Sequence, residues 1–159
     1  MKLILDASSI IAMYGHLDCS QAITMLKDLG YETYMPKAVH EELKGGPTYS
    51  KAREVILREI MVMEHPPLRE LDELRRKYPA LGPGELEVIY WASYLQKQGE
   101  SVFAVLDDKK ARTTAQRLRL KIKGTLGLLN LLKNHGLIDE AKKRNTLNQL
   151  KEAGFRVAI

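Results

Sequence analysis

Val102-Phe-Ala-Val-Leu-Asp-Asp-Lys-Lys-Ala-Arg112 decides the fold. Its first five residues are apolar without a polar break, the pattern of a strand buried on both faces, and that strand delivers two adjacent carboxylates, Asp107 and Asp108, at its end. Only positive charge follows, at Lys109, Lys110, Arg112, Arg117, Arg119, Lys121 and Lys123, with no acid between them. A strand buried on both faces belongs to a parallel sheet covered by helices. An acid pair beside a basic run suggests a metal site serving an anionic substrate.

Working outward, the same design recurs. Residues 1–5 are apolar apart from Lys2 and end at Asp6, a second buried strand with a carboxylate at its C-terminal end. A short helix is expected over 7–14, and a second from Asp18 or Ser20 to a stop at Gly30. A strand over 31–35 leads to Pro36, suited to the first turn of a helix over 37–44. Another helical pattern covers 50–60, a short strand 62–63, and a charged surface helix 68–78. Leu81-Gly-Pro-Gly-Glu85 launches a helix over 86–96 with Val88, Ile89, Ala92 and Leu95 inward. After the central strand come a helix over 109–118 capped by Asp107 or Asp108, a strand over 120–123, a helix over 126–134, a last helix over 139–153, and an apolar strip from 155 to 159. Strand–helix alternation through most of the chain indicates an α/β fold with a parallel sheet and helices on both faces. No long linker divides it, so 1–159 reads as a single domain with 139–159 a C-terminal helical extension.

At 159 residues the chain can bury most of its apolar surface around one core. The lone Cys19 makes no internal disulfide and no charged-then-apolar leader opens the sequence, which sets a reducing, cytoplasmic expectation. No apolar run approaches the roughly 20 residues needed to span a bilayer, so no membrane association is expected. The net charge of +5 and pI near 9.3 favour polyanions without proving that one binds.

In parallel sheets, sites form outside the carboxyl ends of strands where the strand order reverses. Asp6 and Asp107/Asp108 stand at two such ends. With Val39 and Leu43 facing the core, the helical step sets Glu42 on the flank of that face and Glu41 toward water. Glu85 lies in the first turn of its helix, where the dipole favours a negative charge. Asp6, Glu42, Glu85 and Asp107/Asp108 together offer hard oxygen ligands, suited to Mg²⁺ or Mn²⁺ rather than zinc. Such ions activate water and stabilise the leaving oxygen in phosphodiester cleavage. Taken singly, each acid has a plainer role as helix cap, first-turn acid or surface charge; their joint placement favours a site. His16, His40, His65 and His135 match no zinc spacing. Ser8 and Ser9 lack a nucleophile elbow. Cys19 reads as an apolar filler, and Trp91 and Tyr94 as core or dimer surface.

Leu5-Asp-Ala-Ser8, Pro36-Lys-Ala-Val-His-Glu-Glu-Leu43, Leu81-Gly-Pro-Gly-Glu-Leu86, Leu106-Asp-Asp-Lys-Lys-Ala-Arg112 and Gly124-Thr-Leu-Gly-Leu-Leu129 occur in that order. In these stretches the sequence resembles the PIN-domain nucleases, and in particular a small prokaryotic subgroup related to VapC-type ribonuclease toxins. The resemblance implies a three-layer α/β/α fold and a metal-dependent ribonuclease that prefers single-stranded RNA. It implies that Asp6, Glu85 and Asp108 hold the metal, with Asp107 standing close beside Asp108, and that Glu42 is the second acidic position. It implies that Ser8 and Thr125 support the metal and its water, and that Arg112 is a structural or phosphate-facing partner. Glu85 departs from many toxin relatives, which carry an aspartate there. Pairing into a homodimer and a cognate antitoxin partner are further implications.

The leading expectation is therefore a Mg²⁺- or Mn²⁺-dependent endoribonuclease, with Lys109, Lys110, Arg112, Arg117 and Arg119 meeting the RNA. The alternative is a catalytically silent nucleic-acid- or partner-binding module with a vestigial acidic site. A third reading, a phosphoacceptor or phosphatase-like domain built on Asp6 and Asp107/Asp108, leaves Glu42 and Glu85 without a role.

Overall fold

A computed structural model describes residues 1–16 and 21–155. Five short strands, β1 (Lys2–Ile4), β2 (Glu32–Pro36), β3 (Met61–Met63), β4 (Val102–Val105) and β5 (Lys121–Lys123), form one sheet in the order β3-β2-β1-β4-β5. Every pairing is parallel, and Ile4 stands between Tyr34 of β2 and Ala104 of β4. The chain first builds outward from β1 through β2 to β3, then returns to add β4 on the other side. The strand order therefore reverses between β1 and β4.

The helices among the described residues are α1 (Ala7–Ile11), α2 (Gln21–Asp28), α3 (Lys37–Lys44), α4 (Pro47–Glu59), α5 (Leu68–Lys77), α6 (Pro83–Lys97), α7 (Lys109–Arg117), α8 (Thr125–Asn134) and α9 (Glu140–Glu152). Helices α3, α5, α6 and α7 group on one face of the sheet, and α2, α4, α8 and α9 on the other, giving three layers. The apolar runs become the centre of the core: Leu3, Ile4, Leu5, Ala104, Val105 and Leu106 are fully buried. Removing one of the large side chains here would cost about 2–5 kcal/mol.

Several boundaries move for local reasons. The first helix closes at Ile11 and continues as one wider turn, Ala12–His16, whose residues Ala12, Met13 and Tyr14 are buried. Pro36 ends β2 with an extended backbone instead of entering the helix. Pro47 and Pro83 each occupy the first turn of a helix, so α4 and α6 begin three residues earlier than the apolar pattern alone suggests. Val88, Ile89 and Ala92 are buried as expected, while Leu95 is only half-buried. Trp91 packs edge-on to Tyr90 and Tyr94 and donates to the Glu64 carbonyl. The last helix packs on α8 and on the Ala12–His16 turn, burying Leu150. The expected helix start at Asp18 or Ser20, Cys19, and 156–159 of the apolar strip lie outside the described residues.

Candidate metal centre

At the reversal point, Asp6 and Asp107 follow β1 and β4 by two residues each and meet. The Asp107 N–H donates to Asp6 Oδ2 at 3.2 Å. Asp6 also caps α1, accepting from the Ser9 N–H at 3.0 Å, so its cap role and its place in the site are the same geometry. Asp107 is held by three donors: the Ser8 hydroxyl at 2.6 Å, the Thr125 N–H at 2.8 Å and the Thr125 hydroxyl at 2.5 Å. The residue at the N-cap of α8 is Gly124, which has no side-chain acceptor, and Asp107 supplies one from another loop. A Cβ on Gly124 would stand 2.9 Å from both Asp107 Oδ1 and an Arg112 guanidinium nitrogen. Any larger residue there would have to push one of those two side chains aside.

Asp108 turns to its own helix, accepting from the Ala111 N–H at 3.0 Å as the N-cap of α7. The acid that touches Asp6 is Asp107. Both Asp107 and Asp108 nevertheless line one cavity of about 280 Å³ together with Asp6, Ser8, Glu42 and Glu85. Glu85 reaches back to the Gly82 N–H at 3.0 Å, satisfying a donor that α6 leaves open at its start. Glu42 comes from the facing helix α3; a Cβ on Gly84 would lie 3.2 Å from its Oε2 and from Val39, so Gly84 lets the two helix starts close together. As expected, Glu41 instead points to water and meets His65.

Among the described residues no basic side chain lines this cavity. Burial, reinforced by the Asp107 charge, pushes Asp6 up to about 7 against the pull of the Ser9 N–H. Burial raises Glu42 as well. Burial raises Glu85, with the charges of Asp108 and Glu42 adding to it and the Gly82 N–H opposing. As placed, no three acid, histidine or cysteine side chains among the described residues enclose an ion. The donor set is nonetheless all oxygen, with none of the histidines among the lining residues, and it fits a hard divalent cation.

The basic run divides. Lys109, Lys110, Arg117 and Arg119 are exposed and form no ion pair among the described residues. Arg112 is half-buried and donates to the Leu106 carbonyl at 2.9 Å, which ties α7 to the loop carrying Asp107 and gives the guanidinium a structural task. Lys123 lies over the Phe103 ring, 4.6 Å from its centroid.

Two participants are missing from the sequence reading. Phe155, with Gly154, closes one side of the cavity from the far end of the chain. Glu87, only 2% exposed, accepts from the Ala38 N–H at 3.1 Å and from His65 Nδ1 at 2.6 Å. It caps α3, the helix carrying Glu42, because Pro36 at the N-cap has no acceptor side chain. A polar residue inside the apolar stripe of α6 was the available signal.

His65 bridges Glu87 and Glu41, and the Glu87 contact lifts its pKa above the ordinary 6.5. A histidine raised on folding lends stability that is complete below its unfolded value and lost as pH rises through the folded one. The expected gain is under about 1 kcal/mol because the ring is well exposed. Thermal unfolding across pH 5 to 9 should show a steeper decline for the wild type than for His65→Gln; parallel curves would remove His65 from the balance.

A parallel sheet whose reversal point is lined by carboxylates defines an α/β domain suited to cation-dependent chemistry on an anion. The chain belongs to the PIN-domain family, whose model matches residues 2–159. PIN domains are generally nucleases and commonly use divalent metal ions. A comparison with curated proteins found no match. No helix among the described residues is long and apolar enough to cross a membrane.

Proposed function

We propose that the protein is a Mg²⁺- or Mn²⁺-dependent endoribonuclease that hydrolyses phosphodiester bonds in single-stranded RNA. The observation that carries this reading is the set of five carboxylates around one cavity at the reversal point. Asp6 and Asp107 would hold the metal, with Glu42, Glu85 and Asp108 completing the acidic ring. The bound ion would supply an activated water and a counter-charge for the leaving oxygen. The Ser8 and Thr125 hydroxyls bond one Asp107 oxygen and the Thr125 N–H the other, which fixes the carboxylate's orientation. Glu42 makes no hydrogen bond among the described residues, and its raised pKa suits it to take the proton of the attacking water. The exposed Lys109, Lys110, Arg117 and Arg119 would draw the RNA backbone toward the cavity.

The resemblance to VapC-type toxins extends this to a toxin that acts as a homodimer and is held by a cognate antitoxin in the cytoplasm. Incubation of the purified chain with single-stranded RNA in Mg²⁺, Mn²⁺ or EDTA tests the activity itself. Cleavage only with metal supports the reading; salt-sensitive binding without cleavage supports the silent module instead. Ser8→Ala and Thr125→Val should each weaken Mn²⁺ affinity by about 10- to 100-fold, the usual effect of losing a group that orients a metal ligand. Calorimetric titration showing unchanged affinity in both would take those hydroxyls out of the site.

A further inference from the structure

His65 stands in the stretch Glu64-His65-Pro66-Pro67 between β3 and α5. That stretch is tied to two helices at once. Trp91 of α6 donates to the Glu64 carbonyl at 3.0 Å, and the Lys37 ammonium of α3 lies 3.5 Å from the Glu64 carboxylate. The imidazole repeats the bridge, with Nδ1 2.6 Å from Glu87 of α6 and Nε2 3.2 Å from Glu41 of α3. Pro66 is buried, and two prolines in a row fix the backbone on the C-terminal side of the ring. Glu41 is the neighbour of Glu42, and Glu87 lies two residues past Glu85. The ring therefore grips the two helices that carry facing acids of the cavity. They meet so closely that a Cβ on Gly84 of α6 would stand 3.2 Å from Glu42 Oε2 of α3.

A neutral imidazole has one N–H, and an ionised carboxylate has none to give. Both contacts therefore exist together only when the ring is protonated. The Glu87 contact is the shorter and its carboxylate is buried, so a neutral ring keeps its N–H there and releases the exposed Glu41. Facing the ring are Glu87 from α6 and Glu41 from α3, which hold its pKa above 6.5; Lys37, also on α3, pairs with Glu64. We infer that His65 is a positioning residue of the metal centre, whose imidazolium clamps α3 to α6 and so sets the spacing of Glu42 and Glu85 at which a divalent cation is held. This rests on the proposed metal site and adds to it a coupling between cation and proton. By reciprocity, a clamp that favours the metal-bound spacing is itself favoured by the metal, so the cation promotes protonation of His65. The sign is diagnostic, because a cation acting on the ring only through space repels its positive form. Contacts at a ring this exposed are worth a factor of about three, which sets the size of the coupling.

The test is an NMR titration of the imidazole signals of ¹⁵N-labelled full-length protein from pH 5 to 9, without metal and with saturating Mg²⁺. Mg²⁺ should raise the His65 pKa by about half a pH unit, the equivalent of a threefold coupling. In Glu41→Ala, where the ring holds α6 alone, the rise should vanish. The Mg²⁺ affinity of His65→Gln should be about threefold below wild type at pH 6 and equal to it at pH 9. A His65 pKa unchanged or lowered by Mg²⁺, a rise that survives in Glu41→Ala, or the same deficit of His65→Gln at both pH values would overturn the inference. None of these readouts needs turnover. The amide signals of Asp6, Asp107 and Thr125 report the cation independently of His65. If Mg²⁺ leaves them in place, the metal centre falls and the clamp with it; if they shift without the rise at His65, the clamp alone falls. A rise at His65 without RNA cleavage leaves the clamp standing and removes the hydrolysis.

Discussion

Asp6→Asn is expected to lower metal-dependent RNA cleavage by at least about 100-fold, since a metal ion supplies several kcal/mol of charge stabilisation and each 1.36 kcal/mol is tenfold in rate. The same substitution should make the metal-free protein more stable. Asp6 is buried against Asp107, and its folded pKa of about 7 lies well above the ordinary 3.8. A raised carboxyl binds its proton more tightly in the folded state, so stability falls as pH climbs from about 4 to about 7 and stays low above that. Asparagine has no charge to lose, keeps an acceptor for the Ser9 N–H, and gives up the bond from the Asp107 N–H. A net gain of about 1–2 kcal/mol corresponds to a rise of about 3–8 °C in Tm in EDTA at pH 8. Mn²⁺ should stabilise the wild type and have little effect on the variant, because only a folded state that binds the ion gains from it. A folded variant with full cleavage would remove Asp6 from the chemistry, and an unchanged Tm in EDTA would show that the charge pair is not a burden.

Glu87→Ala is expected to cost about 2–4 kcal/mol, or a Tm lower by about 5–15 °C. The substitution leaves the Ala38 N–H buried without an acceptor and opens a gap between α6 and α3. Glu87→Gln should recover part of the loss, since the amide oxygen can still accept from Ala38. The effect should reach cleavage too, because the start of α3 sets where Glu42 stands relative to Glu85. Differential scanning calorimetry with cleavage rates measured well below the lowered Tm separates the two effects. A variant as stable as the wild type would show that the cap is dispensable; a destabilised variant with an unchanged rate would show that α3 holds Glu42 by other contacts.

Much of this architecture is legible from local pattern. The run before Asp107 carries no polar break and the run before Asp6 only Lys2, and both became strands of the sheet interior with the order reversing between them. Glu42 against Glu41 follows from the helical step and the core positions of Val39 and Leu43, and the two side chains do part as that geometry requires. Helix beginnings were less legible where proline was involved. The apolar period is weak through 47–49 and 83–85, while proline's fixed φ suits a first turn there regardless of hydropathy.

What the chain order could not reveal are the contacts made across it. Asp107 and Asp108 are neighbours of the same type, and local chemistry makes either a cap for α7. Asp108 takes that bond, leaving Asp107 to cap α8 from a distance and to meet Asp6. Glu87 repeats the device by capping α3 from α6. In both cases the N-cap residue, Gly124 or Pro36, has no acceptor of its own, and a buried N–H must find one wherever packing brings it. Phe155 likewise joins the site only because α9 folds back over the Ala12–His16 turn. The sequence by itself determined the strands, most of the helices and which acids end them, because these depend on periodicity and on neighbours a few residues away. The pairing of Asp6 with Asp107, the capping of one helix by another and the His65 bridge between Glu41 and Glu87 were decided by the tertiary structure, because each joins groups from distant parts of the chain that only the packed layers bring within reach.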